Sequence, residues 1–129
     1  MEGAIDMDGA DGTSVCGACG GAAGGSVLIS SPVLLGNGTV SARGGMGGPG
    51  RSNKRGCGGG GGRVAFHVAD RTGFTGAVFY HGGSDDPSSS NYLWDVVDGG
   101  CGTFYEQRPE EAVLMMNNEG RTGFATLLL

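Results

Sequence analysis

Two short runs of this chain stand 37 residues apart and are built alike. Gly25-Ser26-Val27-Leu28-Ile29-Ser30 is echoed by Gly62-Arg63-Val64-Ala65-Phe66-His67. Each is followed by a turn and then by a second strand-like run that closes on paired glycines. These are Thr39-Val40-Ser41-Ala42-Arg43-Gly44-Gly45 and, 38 residues on, Ala77-Val78-Phe79-Tyr80-His81-Gly82-Gly83. A third unit opens at Gly102-Thr103-Phe104-Tyr105-Glu106, with 112–116 as its second strand. Such spacing constrains a chain more than local propensity does. One short unit cannot bury its own apolar face and has to stack on its neighbours.

The runs are rich in Val, Phe, Ile and Tyr and bounded by glycine, the mark of strands. In 63–68 the alternation sends Val64, Phe66 and Val68 to one side and Arg63, Ala65 and His67 to the other, so the first set lines a core. Helical spacing is confined to 110–116, and Met115-Met116-Asn117-Asn118 equally suits a strand ending in a turn. The expected fold is all-β: a stacked parallel β-helix (solenoid) with glycine-rich turns, or alternatively a β-sandwich.

Thirty of the 129 residues are glycine, which adds nothing to a core and loses the most backbone freedom on folding. The glycines never follow a strict G-X-Y period, which excludes collagen. Compact apolar runs at 26–30, 63–69, 77–80, 92–97 and 112–116 argue for order against the disorder such a composition favours. Glycine is expected at tight corners that need positive φ. The tracts 44–50 and 56–62 fit either a flexible excursion or close-packed turns. Residues 1–20 read as an acidic, flexible N-terminal segment and 21–129 as a glycine-rich β-repeat domain. The apolar ending 126–129 suggests truncation at the C-terminus.

The formal net charge is −5, with acids concentrated at Glu2, Asp6, Asp8 and Asp11 and at Asp85, Asp86, Asp95 and Asp98. That balance argues against nucleic acid as a partner. The one basic cluster, Arg51-Ser52-Asn53-Lys54-Arg55, reads as a solvated loop. No apolar stretch has the length of a membrane span, and the acidic start lacks the basic-then-apolar build of a secretion signal.

The order GGSVLISSPVLLGNGTVSARGG, GGGGGRV, FTGAVFYHGG, GGCGTFYE resembles a segment of large glycine-rich membrane proteins of plants and algae, some labelled ephrin-receptor-like. Similar glycine-rich units occur in giant surface proteins of protists and bacteria. The resemblance runs from about Gly20 to the C-terminus. It implies a β-helical ectodomain segment on the extracellular face of a membrane-anchored protein, with a scaffold or adhesive role and no catalytic residues to transfer. The first fifteen residues, the 51–55 insertion and Cys57 fall outside it.

Cys16-Gly17-Ala18-Cys19 is a C-x-x-C, but structural zinc takes four ligands and Cys57 and Cys101 are single. The even count points instead to disulfides among Cys16, Cys19, Cys57 and Cys101, with three possible connectivities. Metal binding, at Cys16 and Cys19 or by calcium at Asp95 and Asp98, is the lesser reading. Asn37-Gly38-Thr39 is both an N-glycosylation sequon and a turn signal. Asp85, Asp86, Asp95 and Asp98 could alternatively serve a polysaccharide lyase or hydrolase, although Asp85-Asp86-Pro87-Ser88 is ordinary turn composition. Trp94, with Tyr92 and Phe104, reads as a core anchor before a sugar platform. His67 and His81 accompany no nucleophile motif. The expected function is therefore a non-catalytic structural or adhesive segment of a large cell-surface protein, needing no cofactor and facing cell-wall or surface polysaccharide.

Overall fold

The alternation in 63–68 organises the core as expected. The computed structural model describes residues 1–16, 19–50, 56–84 and 98–119, at Cys16 the backbone alone. Its strands are β1 (Ala4–Asp6), β2 (Ser26–Val33), β3 (Thr39–Ser41), β4 (Arg63–Asp70), β5 (Ala77–Phe79), β6 (Gly102–Gln107) and β7 (Ala112–Asn117). A single 3₁₀ turn at Ser14–Cys16 is the one helical element among the described residues. The fold is all-β. Two open sheets are formed, in the orders β1-β3-β5 and β2-β4-β6-β7, and every pairing is parallel except β6 with β7.

Register follows the spacing seen in the sequence. Ser26 pairs with Arg63, and Thr39 with Ala77. Equivalent side chains therefore stack in rows: Val27, Val64 and Phe104 in one, Ile29, Phe66 and Glu106 in the next. Val64, Phe66 and Val68 are buried with Val27, Leu34, Val40, Phe74 and Phe104 in one cluster fed by both sheets, while His67 is exposed. Phe66 is its centre, edge-on to Phe74 at 6.1 Å and to Phe104 at 5.1 Å between ring centroids. β2 runs on through Pro32, which an outer strand tolerates because proline lacks only a donor.

Two expectations are corrected. The run 112–116 does not follow β5 in the first sheet as a third unit would require. β7 instead folds back on β6 as an antiparallel hairpin. Residues 4–12, inside the stretch read as a flexible acidic segment, are built into the architecture: β1 pairs with β3, and the Gly9 and Gly12 N–H groups donate to the Arg43 and Met46 carbonyls.

Beyond the strands, the described residues form six glycine-rich segments, at 7–12, 19–25, 42–48, 56–62, 80–84 and 99–102. Their bonds recur every third residue. Gly21 and Gly24 donate to Cys57 and Gly60; Gly56, Gly59 and Gly62 donate to Gly48, Gly45 and Ala42. Each of these bonds runs between segments. This is the behaviour of a polyproline-II-like chain, with three residues per turn and no internal hydrogen bonds. The 56–62 segment bonds to four others, at 19–25, 42–48, 80–84 and 99–102. Glycine is needed for close approach rather than for corners. Positive φ among the described glycines occurs at Gly3 and Gly36, whereas a Cβ on Gly59 would lie 2.5 Å from the Ala22 carbonyl carbon and nearer still to its oxygen.

An acid ends the second core row. Glu106 stands level with Phe66 and is buried, paired with Arg71 Nε at 2.6 Å and Arg108 Nε at 2.7 Å. The Arg71 guanidinium also lies 5.8 Å from the Phe104 ring centroid. Glu106→Gln is expected to lower stability by ~2 kcal/mol, below the usual cost of breaking a buried pair because both arginines keep access to water. The shift in urea midpoint at unchanged slope measures it.

Candidate functional site

Three-residue periodicity places every third side chain of a segment on one face. On the outer face of 7–12, 42–48 and 80–84 these are Asp8 and Asp11, Arg43 and Met46, and His81 and Ser84, which line a groove of about 460 Å³. The acids at its edge brace the neighbouring backbone. Asp8 Oδ1 accepts from Arg43 N at 2.7 Å, and Asp11 Oδ1 accepts from Met46 N at 2.7 Å. Asp8 also accepts from the Ser41 hydroxyl and from Arg43 Nε at 2.8 Å, with Arg43 Nη2 at 2.6 Å. At the far edge His81 Nε2 lies 3.6 Å from Glu119 Oε2.

Burial works against the Asp8 carboxylate, yet the hydrogen bonds from the Arg43 side chain, Ser41 and the Arg43 backbone together hold it below the usual aspartate value. A folded-state value below the unfolded one gives stability that is full above about pH 3.9 and disappears as pH falls through the folded value. Asp8→Asn is therefore expected to flatten the fall in melting temperature on acidification below pH 4. Asp70, held low by the Thr72 N–H and hydroxyl, leaves a residual slope.

Chemically the groove is a display of engaged polar groups. Asp8 accepts from Arg43 and Ser41, and Asp11, which is exposed, accepts from the Met46 N–H through Oδ1. Among the described residues no group of three or more His, Cys, Asp or Glu side chains could hold a metal ion. Asn37 is exposed, in the turn between β2 and β3, and follows Gly36 at φ 105. His67 packs edge-on against Tyr105 on the outer side of its sheet. Asp98 is half-buried beside the 99–102 segment. Asp85, Asp86, Tyr92, Trp94, Asp95 and the 51–55 cluster lie outside the described residues.

Cys19 is disulfide-bonded, and a bridged sulfur has no thiolate to give zinc. Cys57 and Cys101, expected in a bridge, are free thiols. The reason is register. Arg63 pairs with Thr103, so Cys101 stands level with Gly61. Cys57 is then roughly 12 Å away along the segment at ~3.1 Å per residue, beyond the reach of a disulfide.

The outer row 8/11, 43/46, 81/84 was missed in the sequence, where the acids at 8 and 11 look like a solvated charge cluster. Its signal was acids three apart beside glycines three apart. No family model matches this chain, and neither a curated protein nor a solved structure matches it. No helix among the described residues is long and apolar enough to cross a membrane.

Proposed function

We propose that this chain is a non-catalytic structural segment of a larger cell-surface protein. Its units stack as coils of a parallel solenoid, and its outer groove faces carbohydrate. The observation that supports this reading is the pairing of equivalent strands at the sequence offsets of 37 and 38 residues, continued without a break by the glycine segments. Such a chain is extended unit by unit, and its polar surface is set by one residue in three. The resemblance to glycine-rich membrane-protein ectodomains supplies the location.

The test is a panel of pectic, alginate and glucan polysaccharides offered to the whole chain with and without calcium. Binding is read by affinity electrophoresis and cleavage by reducing ends and unsaturated products. Retention without cleavage, weakened by Arg43→Ala, is the expected result. Depolymerisation abolished by a single Asp substitution would overturn the reading in favour of a lyase or hydrolase.

A further inference from the structure

The same two backbone bonds join successive glycine segments at every interior step. In the first series Gly9 donates to the Arg43 carbonyl at 2.8 Å, and Gly44, its equivalent by register, donates to the His81 carbonyl at 3.0 Å. The next equivalent is Gly82, and its N–H donates at 2.8 Å to Oδ1 of Asn118. In the second series the Ala22 carbonyl accepts from Gly45 at 2.8 Å, and its equivalent, Gly59, accepts from Gly83 at 2.8 Å. The next equivalent is Gly99, whose carbonyl accepts at 2.9 Å from Nδ2 of Asn118.

We infer that Asn118 is the terminating plug of the glycine bundle, its side-chain carboxamide standing where the backbone of a following segment would stand. In the interior one segment supplies an acceptor and a donor two residues apart, such as the Arg43 carbonyl and the Gly45 N–H. Asn118 supplies both from one planar carboxamide, whose oxygen accepts and whose NH2 donates. The two bonds also fix which way the amide points, oxygen toward the Gly82 N–H and nitrogen toward the Gly99 carbonyl. β7 delivers it there, and a tight turn in which Glu119 N donates to Asn117 Oδ1 at 2.8 Å, with Glu119 at φ 51, sets its angle. The need is physical: an open edge would leave a donor and an acceptor facing outward as a template for another chain.

The direct test is a through-hydrogen-bond scalar coupling between the Gly82 amide nitrogen and the Asn118 side-chain carbonyl carbon, measured on the labelled whole chain. It is expected to be present; its absence while the Gly82 amide is protected from exchange would overturn the assignment. In Asn118→Ala, exchange at Gly82 is expected to rise about tenfold while Gly9 and Gly44 keep their protection. Unchanged Gly82 protection in that variant also overturns it. Asn118→Asp keeps the acceptor and loses the donor. Gly82 should therefore stay protected while the denaturation midpoint falls, and this holds the proposal to account even if the alanine variant does not fold. Loss of Gly82 protection in the folded aspartate variant would count against it.

Discussion

Gly59→Ala is expected to prevent folding, and Gly60→Ala, one residue on, to be neutral or slightly stabilising. A methyl on Gly59 meets the Ala22 backbone of a neighbouring segment. No rotamer can relieve that clash, since both parties are main chain. Relief requires the segments to part, and with them the Gly59 to Gly45 and Gly83 to Gly59 bonds. That cost exceeds ~4 kcal/mol, beyond what ordinary substitutions produce, in a class of molecule whose whole stability is ~5–15 kcal/mol. A methyl on Gly60 finds nothing within 4 Å, and φ there is not positive. Alanine then gains ~0.4–1 kcal/mol by restricting the unfolded chain. Circular dichroism and urea unfolding of the two variants distinguish the outcomes. Equal behaviour of the pair would show that the glycines serve flexibility rather than contact.

Phe66→Ala is expected to cost ~3–5 kcal/mol. Phe66 is fully buried and touches aromatic rings from two sides, and the Arg71 guanidinium stands 6.0 Å from its ring centroid. The cavity cannot collapse easily, because parallel pairing on both flanks fixes β4 between β2 and β6. The measurement is the drop in urea midpoint, with Phe66→Leu as the milder companion at roughly a third of the loss. A loss below ~1 kcal/mol would mean that the strands are held by the glycine bundle and not by this cluster.

The legible part of the fold was what repeats at a distance. Val64, Phe66 and Val68 were readable as core from alternation alone, and the offsets of 37 and 38 residues gave the pairing partners of β4 and β5. β7 was not readable as a hairpin arm. Ala112-Val113-Leu114-Met115-Met116 has no strong alternation, and its choice of β6 over β5 depends on which edge lies open. The glycine segments, which fitted either a flexible excursion or close-packed turns, stayed undecided for a different reason. Glycine in a tract suggests corners or slack, and the contacts that demand it, such as Gly45 against Ala10 or Gly59 against Ala22, join residues more than thirty positions apart. The groove suffered from the same distance. Asp8 and Asp11 look like a charged tail until Arg43 N and Met46 N are brought against them. Asn118 was visible only as a turn residue, since its partners at Gly82 and Gly99 belong to segments that the sequence does not juxtapose.

The glycine bundle has a thermal consequence. Its burial consists largely of peptide groups, with few carbon side chains among them, and the apolar cluster is confined to the strands. On unfolding, exposed apolar surface raises the heat capacity while exposed polar surface lowers it. The two contributions oppose each other here, so the heat-capacity increment per residue should fall below the ~12–15 cal/mol/K of ordinary domains. A small increment flattens the curve of stability against temperature and moves cold unfolding further from ambient conditions. Scanning calorimetry at several pH values reads the increment directly. A chain of this composition would then hold much the same stability in the cold as at ambient temperature.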